Sequence, residues 1–470
     1  MNLRTRVFQG ASFLILRQGL GMVIGISGVI ALTRILGPAE YGVYAVALGV
    51  YTYLLNISQF GINVYLIRSD TEVTDDEYNT AATMLVAAGA VVAVIGMLLV
   101  PELSAWTGMP RSGSLMRVML CGLPVNLLTF VPLAKLERGL HYKQVAAAEL
   151  SALSGFYAVG ITLAAFGAGA WAAVGGWWTQ QLLLFLLVFL KSRLRLKIGW
   201  SSRIARRIFR YGFSYSSSIW VWQLRDLVNP LIVSRILGAE AVGTIALTIR
   251  LVDTLSFVKN ATWRLSLAVL AKLQAQRERL AAAISEGMLL QLLSVGVFLV
   301  TFSAVAPWVM PVVFGKDWLP VLVVFPYIAL SYLTNSSFNL HSSALYVVGE
   351  NWKVGAFHAF HVAAFVGSAS WLIPRIGIEG YGWAEVLAIP MYAVIHLQIR
   401  RNVGSIQYRD AMIVWVSFAV SLLAPRLGWP LFLFFPVPFF FASIRKKIAT
   451  LAKVLLTKGV YQTEPGVEIT

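Results

Sequence analysis

The sequence predicts an all-α polytopic membrane protein with about 14 transmembrane helices. Hydrophobic residues make up 58% of the 470, charged residues only 13%, and the mean hydropathy is +0.74. Soluble globular chains do not have such a composition. An internal repeat further indicates that the chain consists of two similar halves.

The individual helices are predicted from apolar stretches long enough to cross a hydrocarbon core of roughly 30 Å. These stretches cover residues 10–36, 41–66, 79–100, 114–134, 145–167, 171–190, 209–236, 241–263, 285–310, 318–346, 352–373, 379–399, 410–424 and 428–444. The last two are short. The first is too long for a cleavable secretion signal and contains Arg17, so it is expected to remain as a membrane anchor.

The repeat joins the first two helices of each half. Residues 33–54 recur as residues 234–255 without a gap, at an offset of 201 positions and with seven identities in twenty-two. Each copy carries a glycine, Gly37 or Gly238, where a tight turn between two helices is expected. Because six helices separate the copies, both halves should have the same orientation, related by a two-fold axis along the membrane normal.

Basic residues set the predicted orientation and the domain boundaries. Lys and Arg collect in alternate loops, which the positive-inside rule assigns to the cytoplasm, and both termini are then cytoplasmic. The net charge of +17 therefore indicates a membrane rather than nucleic acid as the partner. The predicted domains are an N-lobe of six helices (1–190), a basic cytoplasmic linker (191–208), a C-lobe of six helices (209–400), and a helix pair with a basic tail (401–470).

A resemblance to a known family is carried by two segments, LTRILGPAEYGVYAVALGVYTYLLNISQFGINVYLIR (32–68) and SRILGAEAVGTIALTIRLVDTL (234–255). The first resembles the opening of the Wzx-type oligosaccharide flippases, polysaccharide transporters of the multidrug/oligosaccharidyl-lipid/polysaccharide exporter superfamily. The second resembles the seventh-to-eighth helix region of the same proteins. The resemblance implies two six-helix lobes around a central cavity lined by the first, second, seventh and eighth helices, with an additional C-terminal helix pair.

The same resemblance implies a function. These flippases move undecaprenyl-diphosphate-linked oligosaccharide units from the inner to the outer leaflet of the bacterial cytoplasmic membrane, for O-antigen, capsule or exopolysaccharide synthesis. No bond is made or broken, so the chain is expected not to be an enzyme and to need no cofactor. Its implied partners are the lipid-linked oligosaccharide, membrane lipids and other polysaccharide-assembly membrane proteins.

Three arginines within predicted spans are the candidate phosphate ligands: Arg17, Arg225 and Arg250. An arginine at a helix centre costs about 2.5–3.5 kcal/mol on the insertion scale, so each should face a water-filled cavity or a partner. Guanidinium groups bind phosphate oxygens in pairs and keep their charge. Pairing with Asp253 is an equal alternative for Arg250, and snorkelling to the near interface is the rival for Arg17.

Carboxylates within the spans have two interpretations. Asp226 and Asp253 lie beside arginines on cavity helices and are weak candidates for coupling to H+ or Na+. For the others, including Glu149 and Glu385, helix capping or salt bridging is expected.

The seventh span supplies the remaining candidates. Pro230 lies mid-way along it and removes a backbone hydrogen bond, so a kink that opens and closes the cavity is expected there. The polar stretch before it offers hydroxyl, indole and amide groups of the kind that bind sugars, with helix packing as the alternative for its serines. The candidate sugar contacts are Tyr215, Ser217, Trp222 and Gln223.

Two other classes compete with the flippase. An ion-coupled multidrug or small-molecule exporter of the same superfamily would share the core, but intramembrane arginines argue against cationic drugs. An integral-membrane polysaccharide polymerase or ligase would need a substantial outward loop, whereas the longest one predicted here is about residues 101–113. The sequence contains no HExxH, nucleophile-elbow or P-loop motif, and Cys121 is its only cysteine, so no metal site is expected.

Overall fold

The chain folds into α-helices joined by short turns. The computed structural model describes residues 3–69, 72–259 and 270–450, and these residues contain no β-strand. The α-helices include α1 (Leu3–Ser58), α2 (Ile62–Arg68), α3 (Asp75–Thr107), α4 (Pro110–Leu120), α5 (Leu123–Arg138), α6 (Tyr142–Ala165), α7 (Ala170–Ser192), α8 (Ser202–Gln223), α9 (Ser234–Leu255), α10 (Arg277–Val313), α11 (Val321–Val347), α12 (Asn351–Ile376), α13 (Ile378–Leu387), α14 (Tyr392–Asn402), α15 (Arg409–Leu422) and α16 (Ala424–Leu427).

Many of these helices could cross a membrane. Within the described ranges, nine are long and apolar enough, or ten if α4 and α5, which meet at a 43° bend, form one span. The prediction of an all-helical polytopic membrane protein is confirmed. Fourteen spans remain a prediction.

The last two predicted spans differ from the expectation. Helix α15 has 14 residues, about 21 Å at 1.5 Å per residue, which is shorter than a roughly 30 Å hydrocarbon core. The segment 428–444 forms two short 3-10 helices, Trp429–Phe434 and Val437–Phe440. Four prolines between positions 425 and 438 explain the interruption, because proline lacks the N–H that a continuous helix requires.

The helices form two compact units. The first contains residues 1–254, 307–325 and 351–391, and the second contains residues 255–306, 326–350 and 392–470. Inside the first unit, one apolar core contains Ile62, Leu66, Leu85, Val131 and Ile208. The second unit has its own core, in which the Phe418 ring is fully buried. The domain boundaries predicted from the sequence remain predictions.

Both copies of the repeat break at the predicted glycine. Helix α1 is interrupted at Gly37 (φ 70°, ψ 171°) and α9 at Gly238 (φ 79°, ψ −173°). This left-handed conformation is readily available only to glycine. Each copy is therefore two helices joined by a one-residue break, as the sequence predicted.

The two copies also cross each other backbone to backbone. A Cβ added to Gly42 would lie 1.7 Å from the carbonyl oxygen of Ala239, and one added to Gly243 would lie 2.0 Å from the carbonyl oxygen of Pro38. Positions 42 and 243, like positions 38 and 239, are related by the repeat offset of 201. The contact thus has local two-fold symmetry, with its axis passing between the two glycines.

We expect Gly42→Ala to destabilise the protein, because the added Cβ cannot fit against the Ala239 carbonyl and overpacking of this kind costs about 1–3 kcal/mol. Gly367→Ala is the matched control, since a Cβ at that helical glycine meets nothing within 4 Å. Thermal unfolding of the purified proteins in detergent measures the difference. Equal midpoints for the two variants would contradict the close crossing.

Candidate functional site

Arg250 on α9 reaches from the second copy of the repeat toward the first. A Cβ added to Gly25 on α1 would lie 3.8 Å from its Nη2 atom. The guanidinium hydrogen-bonds with Tyr157 on α6 and lies near Tyr41 on α1. More than a third of the residue's surface is nevertheless exposed. Arg250 therefore lies in an open space bordered by α1, α6 and α9.

Asp253 was the alternative partner for Arg250, one helical turn further along α9. No ion pair joins the two side chains in the part of the chain that the structure describes. Phenol groups contact the guanidinium instead, and they carry no compensating charge at neutral pH. Arg250 is therefore not paired with Asp253, although the charge of the Asp253 carboxylate still acts on the guanidinium from a greater distance.

Arg17 on α1 forms an ion pair with Glu149 on α6. Its Nε atom lies 2.6 Å from Glu149 Oε2, and the two side chains are 32% and 26% exposed. The ion pair expected for Glu149 is confirmed. Because both groups remain partly accessible, an incoming anion could take the place of the carboxylate.

Arg225 has a different environment, since its charge is compensated in the interior. The Arg225 Nη2 atom lies 2.5 Å from Glu385 Oε1, with the side chains only 11% and 1% exposed. The guanidinium also lies over the rings of Trp222 and Phe365, at 4.9 and 5.3 Å from their centroids. Arg225 therefore has a carboxylate partner, and its neighbourhood in the sequence did not indicate this partner because only the packing of α13 brings Glu385 to it.

The backbone next to Arg225 is irregular. Residues Leu224–Leu227 form a 3-10 helix and Val228–Val233 a π-helix, so the backbone around Pro230 is not α-helical, while the kink expected there stays a prediction. A Cβ added to Gly49 would lie 2.9 Å from Pro230 Cγ, which means that the proline packs directly on the second half of α1. Its role in gating stays a prediction.

One candidate coupling carboxylate, Asp226, lies within this irregular segment, and the other, Asp253, lies beyond it on α9. Asp226 is classed as exposed and Asp253 is half-buried. Both belong to the same compact unit as Arg250.

The structure describes the side chains of two of the four candidate sugar contacts, Trp222 and Gln223. Trp222 packs on the imidazole rings of His358 and His361, at 4.9 and 5.1 Å between centroids, so its indole is part of a packed cluster. The Oε1 atom of Gln223 is buried and accepts no hydrogen bond from a described group. The side chains of Tyr215 and Ser217 lie outside the described residues.

Sequence reasoning missed the two phenols around Arg250. Tyr41 and Tyr157 lie in apolar spans, where an aromatic residue gives no functional pattern of its own. Tyr41 does fall inside the repeated segment. Arg250 carries a charge where the equivalent position of the first copy, Gly49, has none. This difference between the copies was the sequence pattern that could have indicated the surroundings of Arg250.

The fold defines the class of protein. The chain superposes on the lipid II flippase MurJ in an inward closed conformation with a TM-score of 0.69 and 11% identity, covering 96% of this chain and 100% of that one. It also superposes on an inward-facing multidrug resistance transporter of the MATE family, of the MOP superfamily, with a TM-score of 0.56 and 18% identity, covering 83% and 94%. The chain thus has the helical fold of these membrane transporters.

The family follows from the sequence match. Residues 31–323 match the model described as polysaccharide biosynthesis protein, and the chain belongs to that family. It is 24% identical over 303 residues to the succinoglycan biosynthesis transport protein ExoT of Rhizobium meliloti (strain 1021), matching 64% of this chain and spanning about three fifths (61%) of that relative. It is 22% identical over 438 residues to the lipopolysaccharide biosynthesis protein WzxC of Escherichia coli (strain K12), covering 90% and 87%.

We expect Glu385→Gln to lower stability far more than Glu149→Gln does. Removing Glu385 leaves Arg225 buried without its carboxylate, at a cost of about 3–5 kcal/mol, whereas Arg17 can turn toward water. Unfolding of the purified variants in detergent with increasing sodium dodecyl sulfate measures both losses. A Glu149 variant that is as destabilised as the Glu385 variant would contradict this assignment.

Proposed function

We propose that the chain is a flippase that moves undecaprenyl-diphosphate-linked oligosaccharide units from the inner to the outer leaflet of the bacterial cytoplasmic membrane. The observation that carries the proposal is the environment of Arg250, which is more than a third exposed, contacted by phenols, and joined to no carboxylate by an ion pair in the described part of the chain. Arg250 lies twelve residues beyond the Gly238 break, about 18 Å along α9. A cation at that depth within apolar helices suits a diphosphate crossing the bilayer.

The chemistry of the cargo headgroup fits these groups. A diphosphate offers several anionic oxygens, and one guanidinium can bind two of them in a parallel pair of charge-assisted hydrogen bonds. The Tyr157 hydroxyl can donate a further hydrogen bond to the phosphate or to the first sugar. In this proposal Arg250 binds the charged diphosphate, and the Tyr157 hydroxyl orients the headgroup.

Arg17 supplies a second contact to the diphosphate, by exchanging its carboxylate partner Glu149 for phosphate oxygens. The Arg250 guanidinium lies at the level of Gly25 on α1, eight residues from Arg17 and therefore about 12 Å further along the helix. A diphosphate that replaces Glu149 at Arg17 could then pass to Arg250 over this distance. Arg225 is assigned a positioning role, because its pair with Glu385 fixes the irregular segment of the seventh span.

The remaining parts of the proposal concern energy, movement and location. Asp226 and Asp253 are proposed to bind the coupling ion, H+ or Na+, and the segment at Pro230 is proposed to bend during transport.

We further propose fourteen spans in two six-helix lobes plus a C-terminal pair, with both termini in the cytoplasm, and an association with other polysaccharide-assembly proteins. The names of ExoT and WzxC, which refer to succinoglycan and lipopolysaccharide biosynthesis, support surface polysaccharide as the pathway.

A small-molecule exporter is the second candidate, supported by the structural likeness to MATE transporters at a TM-score of 0.56. The cation at Arg250, which forms no described ion pair, argues against the cationic drugs that such an exporter would carry. An enzyme of the same pathway has less support, because the named relatives include transport proteins.

We expect Arg250→Ala to reduce flipping at least about tenfold, because a hydrogen bond to a charged group is worth about 1.5–3 kcal/mol. The assay reconstitutes the purified protein in liposomes with a fluorescent undecaprenyl-diphosphate oligosaccharide and follows leaflet exchange by quenching with a membrane-impermeant reductant. Arg250→Lys should give an intermediate rate, since it keeps the charge but not the paired geometry.

Arg277→Ala is the matched control, because Arg277 is an exposed arginine at the start of α10 and should leave the rate unchanged. Full activity of Arg250→Ala would contradict the proposed phosphate contact. Absence of flipping in the wild type, together with export of a soluble compound, would favour the exporter.

We also expect Glu149→Gln to tighten binding of undecaprenyl diphosphate and Arg17→Gln to weaken it. The first change frees the Arg17 guanidinium from its carboxylate, while the second removes the cation. Binding of radiolabelled undecaprenyl diphosphate to purified protein measures both effects. If the two variants bind equally well, the ion pair is structural and Arg17 does not exchange its partner for phosphate.

A further inference from the structure

The first three turns of α8 present a row of arginines to the outside. Arg203, Arg206, Arg207 and Arg210 are all exposed, and their spacing places them on one face of the helix. With two neighbours they line a surface cavity of about 770 Å³. The lining residues are Ser202, Arg203, Arg206, Arg207, Arg210 and Tyr211.

Two residues, one on the opposite face and one in the arginine row itself, fix this part of α8 to the rest of the first compact unit. Ile208 is fully buried in the apolar core that contains Leu66 and Val131. Arg207 forms an ion pair with the buried Glu77, whose carboxylate also accepts a hydrogen bond from the Tyr65 hydroxyl at 2.8 Å. Arg207 therefore anchors the helix, and its charge is compensated.

The other three arginines of the row have no such compensation. Arg203, Arg206 and Arg210 form no hydrogen bond or ion pair within the described ranges 3–69, 72–259 and 270–450. Between positions 191 and 210 the chain has eight basic residues and no acidic one. A surface with this excess of positive charge attracts anions.

Aromatic side chains lie along one edge of the arginine row. The rings of Phe209 and Phe213 stack at 5.5 Å between centroids, and the two residues are 43% and 46% exposed. Trp200, just before the helix, is 61% exposed. A basic row beside exposed aromatic rings is typical of a helix lying at the headgroup level of a membrane.

We propose that Arg203, Arg206 and Arg210 bind the phosphate groups of anionic phospholipids in the cytoplasmic leaflet, with Phe209 and Phe213 inserted at the top of the acyl chains. The three guanidinium groups extend over seven residues, about 10 Å along the helix. That spread suits several singly charged headgroups better than one compact diphosphate. Because α8 leads directly into the 3-10 segment that holds Arg225, bound lipid would fix the start of the seventh span at the membrane surface.

The test measures lipid selectivity and does not depend on flipping. Purified full-length protein is placed in phosphatidylcholine bilayers containing spin-labelled phosphatidylglycerol or spin-labelled phosphatidylcholine, and the motionally restricted fraction of each label gives the selectivity. The variant R203Q/R206Q/R210Q is compared with R277Q/R279Q/R401Q, which removes the same charge from other exposed arginines.

A basic residue near an anionic surface contributes about fivefold to lipid association, so the α8 variant should lose selectivity for phosphatidylglycerol by at least that factor. The control variant should keep it. R203K/R206K/R210K retains the charge and should also keep the selectivity, which separates loss of charge from misfolding.

Unchanged selectivity in R203Q/R206Q/R210Q would overturn the proposal, as would loss of selectivity in the lysine variant. Undecaprenyl diphosphate is the competing occupant. If it displaces phosphatidylglycerol from wild type but not from R203Q/R206Q/R210Q, the arginine row binds the cargo and the phospholipid assignment is wrong.

Discussion

An ionised side chain among apolar helices must have either a counter-charge or water, and this constraint determines what each arginine of the candidate site can do. Arg225 has a buried carboxylate and two aromatic rings. Arg17 has a partly exposed carboxylate, and Arg250 has neighbouring phenols and no ion pair with a described carboxylate. The same residue type thus has three electrostatic environments, and of these three arginines Arg250 is best placed to bind an anion.

The repeated segment contains both a symmetric backbone contact between its two copies and a charge that only one copy carries. Gly42 and Gly243 are equivalent positions that let the two copies touch through their backbones. Gly49 and Arg250 are also equivalent at the offset of 201, but one receives Pro230 and the other extends a guanidinium toward Gly25. Duplication therefore accounts for the scaffold, while substitution in one copy accounts for the charge.

Sequence predicted the features that depend on local chemistry. The helical class, the breaks at Gly37 and Gly238 and the irregularity at Pro230 follow from hydropathy, glycine conformation and the missing proline N–H. The partners of the arginines were not predictable, because Glu385 is 160 positions from Arg225 and only helix packing brings them together. The two C-terminal spans were predicted from apolar length alone, which does not indicate that prolines interrupt the helix in the segment 428–444.

The central claim is that the diphosphate of a lipid-linked oligosaccharide binds at Arg250. The most direct test is an experimental structure of the protein with undecaprenyl-diphosphate-linked sugar bound. The account predicts phosphate oxygens within hydrogen-bonding distance of the Arg250 guanidinium, with the Tyr157 hydroxyl beside them. A diphosphate bound elsewhere, with Arg250 still contacted only by its tyrosines and water, would contradict it.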